Sequence, residues 1–130
     1  MGAAPPPLVA AAMRKVRVVW LAPVGGTAVA AWLLWRDGSA YVVGGPGEQP
    51  LPGIEAGRPA LVTVGTPEGR LVTWVAAVEQ LRQGSDEWGR VVPQLLARRL
   101  SAAGDAAHRW ERSCRVLRLT PTGELSEGSR

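Results

Sequence analysis

Few residues of this chain could carry chemistry, and most of them stand without the neighbours that chemistry requires. His108 is the single imidazole. With no second histidine, no cysteine pair and no clustered carboxylates it has neither metal partners nor a nucleophile to activate, and it reads as a surface residue of a helix. Cys114 is the single thiol, which excludes an internal disulfide and a cysteine-based metal site and fits a reducing, cytoplasmic setting. Ser85 and Ser113 lack the glycine-flanked elbow that exposes a serine nucleophile. The glycines at 44, 45 and 47 have neither the spacing nor the following long helix of a dinucleotide fingerprint. What remains is recognition of a flat ligand. Trp32, Trp35 and Trp74 each offer a large π face and one donor, so they can stack on a planar ring, although core packing is the commoner fate of an indole.

These residues belong to a chain of 130 with 46% apolar content, enough for one core. Sixteen glycines, eleven prolines, six tryptophans and no phenylalanine favour short strands joined by tight turns. The formal charge is +4, and fourteen of the fifteen basic residues are arginine. The excess lies between residues 82 and 118, where eight arginines face four acidic residues. That segment lacks the dense runs and interleaved aromatics of a nucleic-acid surface, so a solvated helix face is expected and no nucleic-acid partner. From Met13 the chain reads MRKVR and is then uncharged from Val18 to Trp35, as a leader or anchor would be. Pro23, Gly25, Gly26 and Thr27 interrupt that stretch, so a hairpin is expected and no membrane span. Residues 1–12 and 122–130 are expected to be tails without structure, leaving one domain over 13–121.

The elements that must position the tryptophans follow from turn signals. Strands are expected at Val16 to Leu21, Thr27 to Arg36 and Ser39 to Val43, the last two joined by an Asp37-Gly38 turn whose central residues need positive φ. Residues 44–59 hold five glycines and four prolines, so they form a loop, with a helical turn at most near Ile54. A second hairpin joins Ala60 to Thr66 with Arg70 to Arg82 through Pro67. This fifth strand is too long to stay straight and should bend at Ala76 and Ala77, as a closing barrel requires. Ser85 caps an amphipathic helix whose apolar face is Trp88, Val91, Val92, Leu95, Leu96 and Leu100, with Arg90, Gln94 and Arg98 outward. A shorter helix, capped by Asp105, runs to about Arg112, and Cys114 to Thr120 forms a sixth strand ended by Pro121 and Gly123. The fold class is therefore mainly β with α: a six-stranded antiparallel barrel with two helices in the C-terminal half.

That order, with WLLWRDGSAYVV at 32–43, GGPGEQPLPG at 44–53, RLVTWVAAV at 70–78 and the segment from Trp88 to Leu100, resembles the split-barrel flavin-binding superfamily typified by pyridoxamine-phosphate oxidase. The likeness covers roughly residues 16–120 and is greatest to small members that bind FMN or a deazaflavin coenzyme. It implies a homodimer with a ligand groove between subunits, and an oxidoreductase in which the cofactor performs the hydride transfer. It also implies a site: the ring near Trp74 and the Thr73 hydroxyl, the phosphate at the Gly44 and Gly45 amides together with Arg58 or Arg70. The chain departs from the pattern after the third strand, where phosphate-gripping members carry Lys or Arg. Here the segment is Gly44 to Gln49, no cation occurs before Arg58, and Glu48 opposes an anion. A non-catalytic dimeric binding or structural protein on the same scaffold is the alternative.

Overall fold

A computed structural model of the protein describes residues 5–66, 68–99 and 105–125. The elements in chain order are α1 (Pro7–Met13), β1 (Val18–Pro23), β2 (Val29–Trp32), β3 (Leu34–Arg36), β4 (Ser39–Gly44), β5 (Ala60–Gly65), β6 (Leu71–Gln80), α2 (Asp86–Arg98), α3 (Ala106–Ser113) and β7 (Arg115–Leu125). The seven strands form one antiparallel sheet in the order β2-β1-β5-β6-β7-β4-β3, nearly closed into a barrel with one seam. Among the described residues no helix is long and apolar enough to cross a membrane.

The seam explains why seven strands are found where six were expected. The stretch from Thr27 to Arg36 is interrupted at Leu33, so its first half pairs with β1 and its second half with β4. β2 and β3 are the two edges of the sheet, and one continuous run of chain therefore joins them. Asp37 and Gly38, at φ 52° and 79°, turn β3 into β4 as expected of this dipeptide. On the other side β6 pairs with β5 through Leu71 to Ala76 and with β7 through its second half, and its register against β7 shifts between Trp74 and Ala76. The irregularity falls at the expected bend. The sixth strand of the sequence reading does not stop at Thr120: β7 runs through Pro121 and Gly123 to Leu125, so 122–125 are strand rather than tail, and 126–130 lie outside the described residues.

Two apolar cores result. Inside the barrel Val19, Leu21, Val62, Trp74 and Leu119 meet, and α1 closes one end by burying Val9 and Met13 completely. Residues 7–12 are thus not a structureless tail; residues 1–4 lie outside the described residues. Val9 and Met13 are four apart, one helical turn, so a short helix presents both to the barrel. The second core lies between the outer face of β4 and β7 and the helices, where Tyr41, Val43 and Val116 meet Trp88, Val92, Leu95 and Trp110. β4 is consequently buried on both faces.

The Ser85 hydroxyl accepts from the Trp88 amide at 3.1 Å and caps α2 as expected. Asp105 does not cap α3: its side chain makes no cap hydrogen bond and instead pairs with Arg109 one turn on. The outward face of α2 is not simply solvated. Gln94 accepts from Arg36 Nη1 at 2.8 Å, and Arg98 Nε donates to the Leu33 carbonyl at 2.9 Å. Both contacts tie the helix to the seam.

A cleft at the barrel seam

Where β2 gives way to β3 the backbone leaves one neighbour before gaining the other, and side chains complete its hydrogen bonding. The Gln49 amide pairs with both backbone groups of Trp32, accepting from its N–H at 2.9 Å and donating to its carbonyl at 3.1 Å. Leu33 N–H donates to the Arg17 carbonyl, and Arg98 takes the Leu33 carbonyl. Gln49 acts here as a one-residue strand at the sheet edge, and it holds Trp32 in place.

Beside this junction lies a cleft of about 480 Å³ lined by Arg17, Val18, Trp32, Gln49, Arg98 and Arg99, with Leu33 and the Gly47–Glu48 segment completing the wall. The size is that of a small-molecule pocket. Trp32 and Val18 are register partners on β2 and β1, so they stand side by side on the outer surface of the sheet. Among the described residues the Arg17 guanidinium has no hydrogen-bond or ion-pair partner. The lining therefore combines an aromatic face with a cation beside it, a combination that receives a planar ring bearing an anionic group.

The loop wall is fastened from behind. Glu48, with its side chain 2% exposed, accepts from Arg99 Nε at 2.9 and 3.0 Å, from Arg109 Nη2 at 2.7 Å and from the Trp110 indole at 2.8 Å. Burial alone would raise its pKa, but the indole and the two guanidiniums hold the carboxyl below the ordinary carboxylate range. The glycines make this approach possible. At Gly47, φ 79°, a Cβ would lie 2.8 Å from Arg109 Nε, and at Gly45, φ 133°, it would lie 2.9 Å from the Cys114 backbone. Cys114 is buried, and burial first and Glu48 second push its thiol up, so it is a poor nucleophile.

The residues expected to hold a ligand do not converge here. Gly44 is buried in the ladder opposite Arg115 with Leu51 packed over it, and Gly45 abuts Cys114. Arg58 lines a separate hollow of about 260 Å³ with Pro23, Val24 and Gly53. Arg70 is exposed at the β5–β6 turn, its N–H donating to the Thr66 hydroxyl. Thr73 is spent on a 2.7 Å hydroxyl pair with Thr63. Trp74 is 0% exposed, inside the barrel and edge-on to Trp35 at 6.1 Å. Of the three candidate stacking tryptophans, Trp32 lines this cleft. His108 is exposed on α3, as expected. Arg17, Gln49, Arg98 and Arg99 were not anticipated. A helical period assigns Arg98 to the outer face but cannot show that a barrel edge lies against that face.

No protein-family model matches the sequence, and no curated protein matches it. The fold does match solved structures. The heme storage protein HutZ from Vibrio cholerae superposes with a TM-score of 0.63 at 14% identity, covering 95% of this chain and 94% of that one. A protein from Listeria innocua assigned as a pyridoxamine 5'-phosphate oxidase superposes with a TM-score of 0.62 at 15% identity, covering 92% of this chain and 94% of that one. The chain shares the fold of these two proteins, a split barrel of the kind the element order suggested.

Proposed function

We propose that this split barrel binds a planar, anionic ring cofactor of the flavin class, FMN or a deazaflavin, in the seam cleft, with the ring against Trp32 and the negative group toward Arg17. The observation that carries the reading is Trp32, held by Gln49 and lining with three arginines a cleft of about 480 Å³. Such a cofactor, once bound, would supply electron or hydride transfer, and the chain's part is to bind and orient it. One fold neighbour is described as a heme storage protein. Among the described residues that line this cleft none is a His, Met, Cys or Tyr able to ligate heme iron, which favours a flavin-type ring over a porphyrin.

The same reading makes the protein a homodimer, with the second copy covering the outer face of β1, β5 and β6. Val18, Trp20 and Leu71, exposed by 56, 54 and 56%, stand on that face, which no helix covers among the described residues. Val18 also lines the cleft, so the apolar face and the ligand site are continuous. An oxidoreductase working in the cytoplasm is the form of activity the proposal anticipates.

The test is a spectroscopic titration of the purified protein with FMN and with the deazaflavin. Binding below about 100 μM, roughly 5.5 kcal/mol, supports the reading. Failure to bind either below about millimolar, roughly 4 kcal/mol, leaves the non-catalytic scaffold as the function.

A further inference from the structure

Behind the cleft, two guanidiniums, one just past the end of α2 and one in α3, converge on one carboxylate from a loop. Arg99 follows α2, Arg109 lies in α3, and Trp110 adds its indole N–H, so three donors meet the buried Glu48 side chain. Such a fork of guanidiniums with an added N–H is how proteins hold phosphates and carboxylates brought by ligands. Arg109 also keeps a buried Nε that meets no acceptor, lying under Gly47. Asp105, largely exposed, is the other acid at Arg109, at 3.5 Å. Glu48 therefore leaves one buried donor of the fork, Arg109 Nε, unmet.

We propose that Arg99, Arg109 and the Trp110 indole form an anion cradle that the chain fills with its own Glu48, and that Glu48 thereby sets the charge specificity of the neighbouring cleft. Glu48, Gly47 and Arg99 belong to the cleft wall as well as to the cradle. A ligand with a phosphate at the loop end meets a carboxylate and an arginine already engaged, and is refused. A ligand whose negative group lies at the Arg17 end is accepted. This second half rests on the cleft being the ligand site; the cradle itself does not.

The experiment titrates inorganic phosphate into the wild type, Glu48→Gln and Glu48→Gln/Arg109→Gln, reading binding by calorimetry and folding by the thermal midpoint. Glu48→Gln is expected to bind phosphate at least about tenfold more tightly than the wild type, about 1.4 kcal/mol, with the gain lost in the double variant. A folded Glu48→Gln with no gain, or a gain that survives removal of Arg109, overturns the cradle. Should Glu48→Gln be unfolded in phosphate-free buffer, phosphate is expected to restore its folded spectrum; a chain that phosphate leaves unfolded also overturns it. For the specificity half, in an Arg17→Ala background, which removes the accepting end, the ratio of FMN to riboflavin affinity is expected to rise about tenfold on adding Glu48→Gln, and an unchanged ratio overturns it. A phosphate gain in a protein that binds neither ring upholds the cradle and removes the cleft reading alone.

Discussion

Tyr41 donates its phenolic hydrogen to the Glu87 carboxylate at 2.7 Å, joining β4 to the first turn of α2. Arg118 on β7 closes on the same carboxylate and also pairs with Glu79 on β6. Burial first, then the hydrogen bond to Glu87, push Tyr41 up to about 12. It is the single tyrosine of the chain, so its phenolate absorbance reports this contact without interference. The folded protein is expected to titrate near 12, and the unfolded chain near the ordinary value of about 10. The raised folded value means that stability from this contact is whole below the unfolded pKa and is lost as pH rises through the folded one. A native titration at the ordinary value would show that Tyr41 does not hold this bond.

At the acid end the sign reverses. Burial alone would raise Glu48 and Glu87, but their hydrogen bonds and neighbouring arginines hold both below the ordinary carboxylate range. Their contribution to stability is therefore present above the unfolded pKa, about 4.3, and is lost as pH falls through the lower folded values. Urea melts at descending pH are expected to show that loss, and Glu87→Gln should flatten the slope. A slope in Glu87→Gln as steep as in the wild type would remove Glu87 from the account.

Helix α1 plugs one end of the barrel. Met13 is fully buried in the barrel core, so Met13→Ala is expected to cost roughly 2 to 5 kcal/mol, read as a lower urea midpoint with an unchanged slope. A loss within about 0.5 kcal/mol, the usual scale of a surface substitution, would mean that α1 does not close the barrel.

Trp20→Glu places a charge in the middle of the uncovered face of β1 and β5. Light scattering is expected to show a dimer for the wild type at micromolar concentration and a folded monomer for the variant. A variant that stays dimeric locates the interface elsewhere.

The barrel was legible because its signals are local. The Asp37-Gly38 turn, the loop over 44–59 and the apolar period from Trp88 to Leu95 each depend on a few neighbouring residues, and each is found. Helix α1 was missed because Val9 and Met13 are its two buried residues in a segment of mostly alanine and proline, and the barrel end they fill is invisible in their own neighbourhood. That Arg17, Gln49, Arg98 and Arg99 line a cleft was hidden for the same reason. Trp74 and Trp32 are chemically alike, and only the pairing of strands decides that one points into the barrel and the other to the seam. Glu48 was readable as an obstacle to phosphate, but the two arginines and the indole that claim it come from the end of α2 and from α3, some fifty and sixty residues later.

The location of the ligand site is the claim on which the account turns, and FMN affinity across four single variants measures it. Arg17→Ala is expected to weaken binding about ten- to a hundredfold, the worth of one charge-assisted contact, and Trp32→Ala about tenfold. Arg58→Ala and Arg70→Ala should bind as the wild type does, because Arg58 lines a separate hollow and Arg70 sits at the β5–β6 turn. Loss of affinity in Arg58→Ala or Arg70→Ala, with Arg17→Ala and Trp32→Ala unchanged, would contradict the seam cleft as the site.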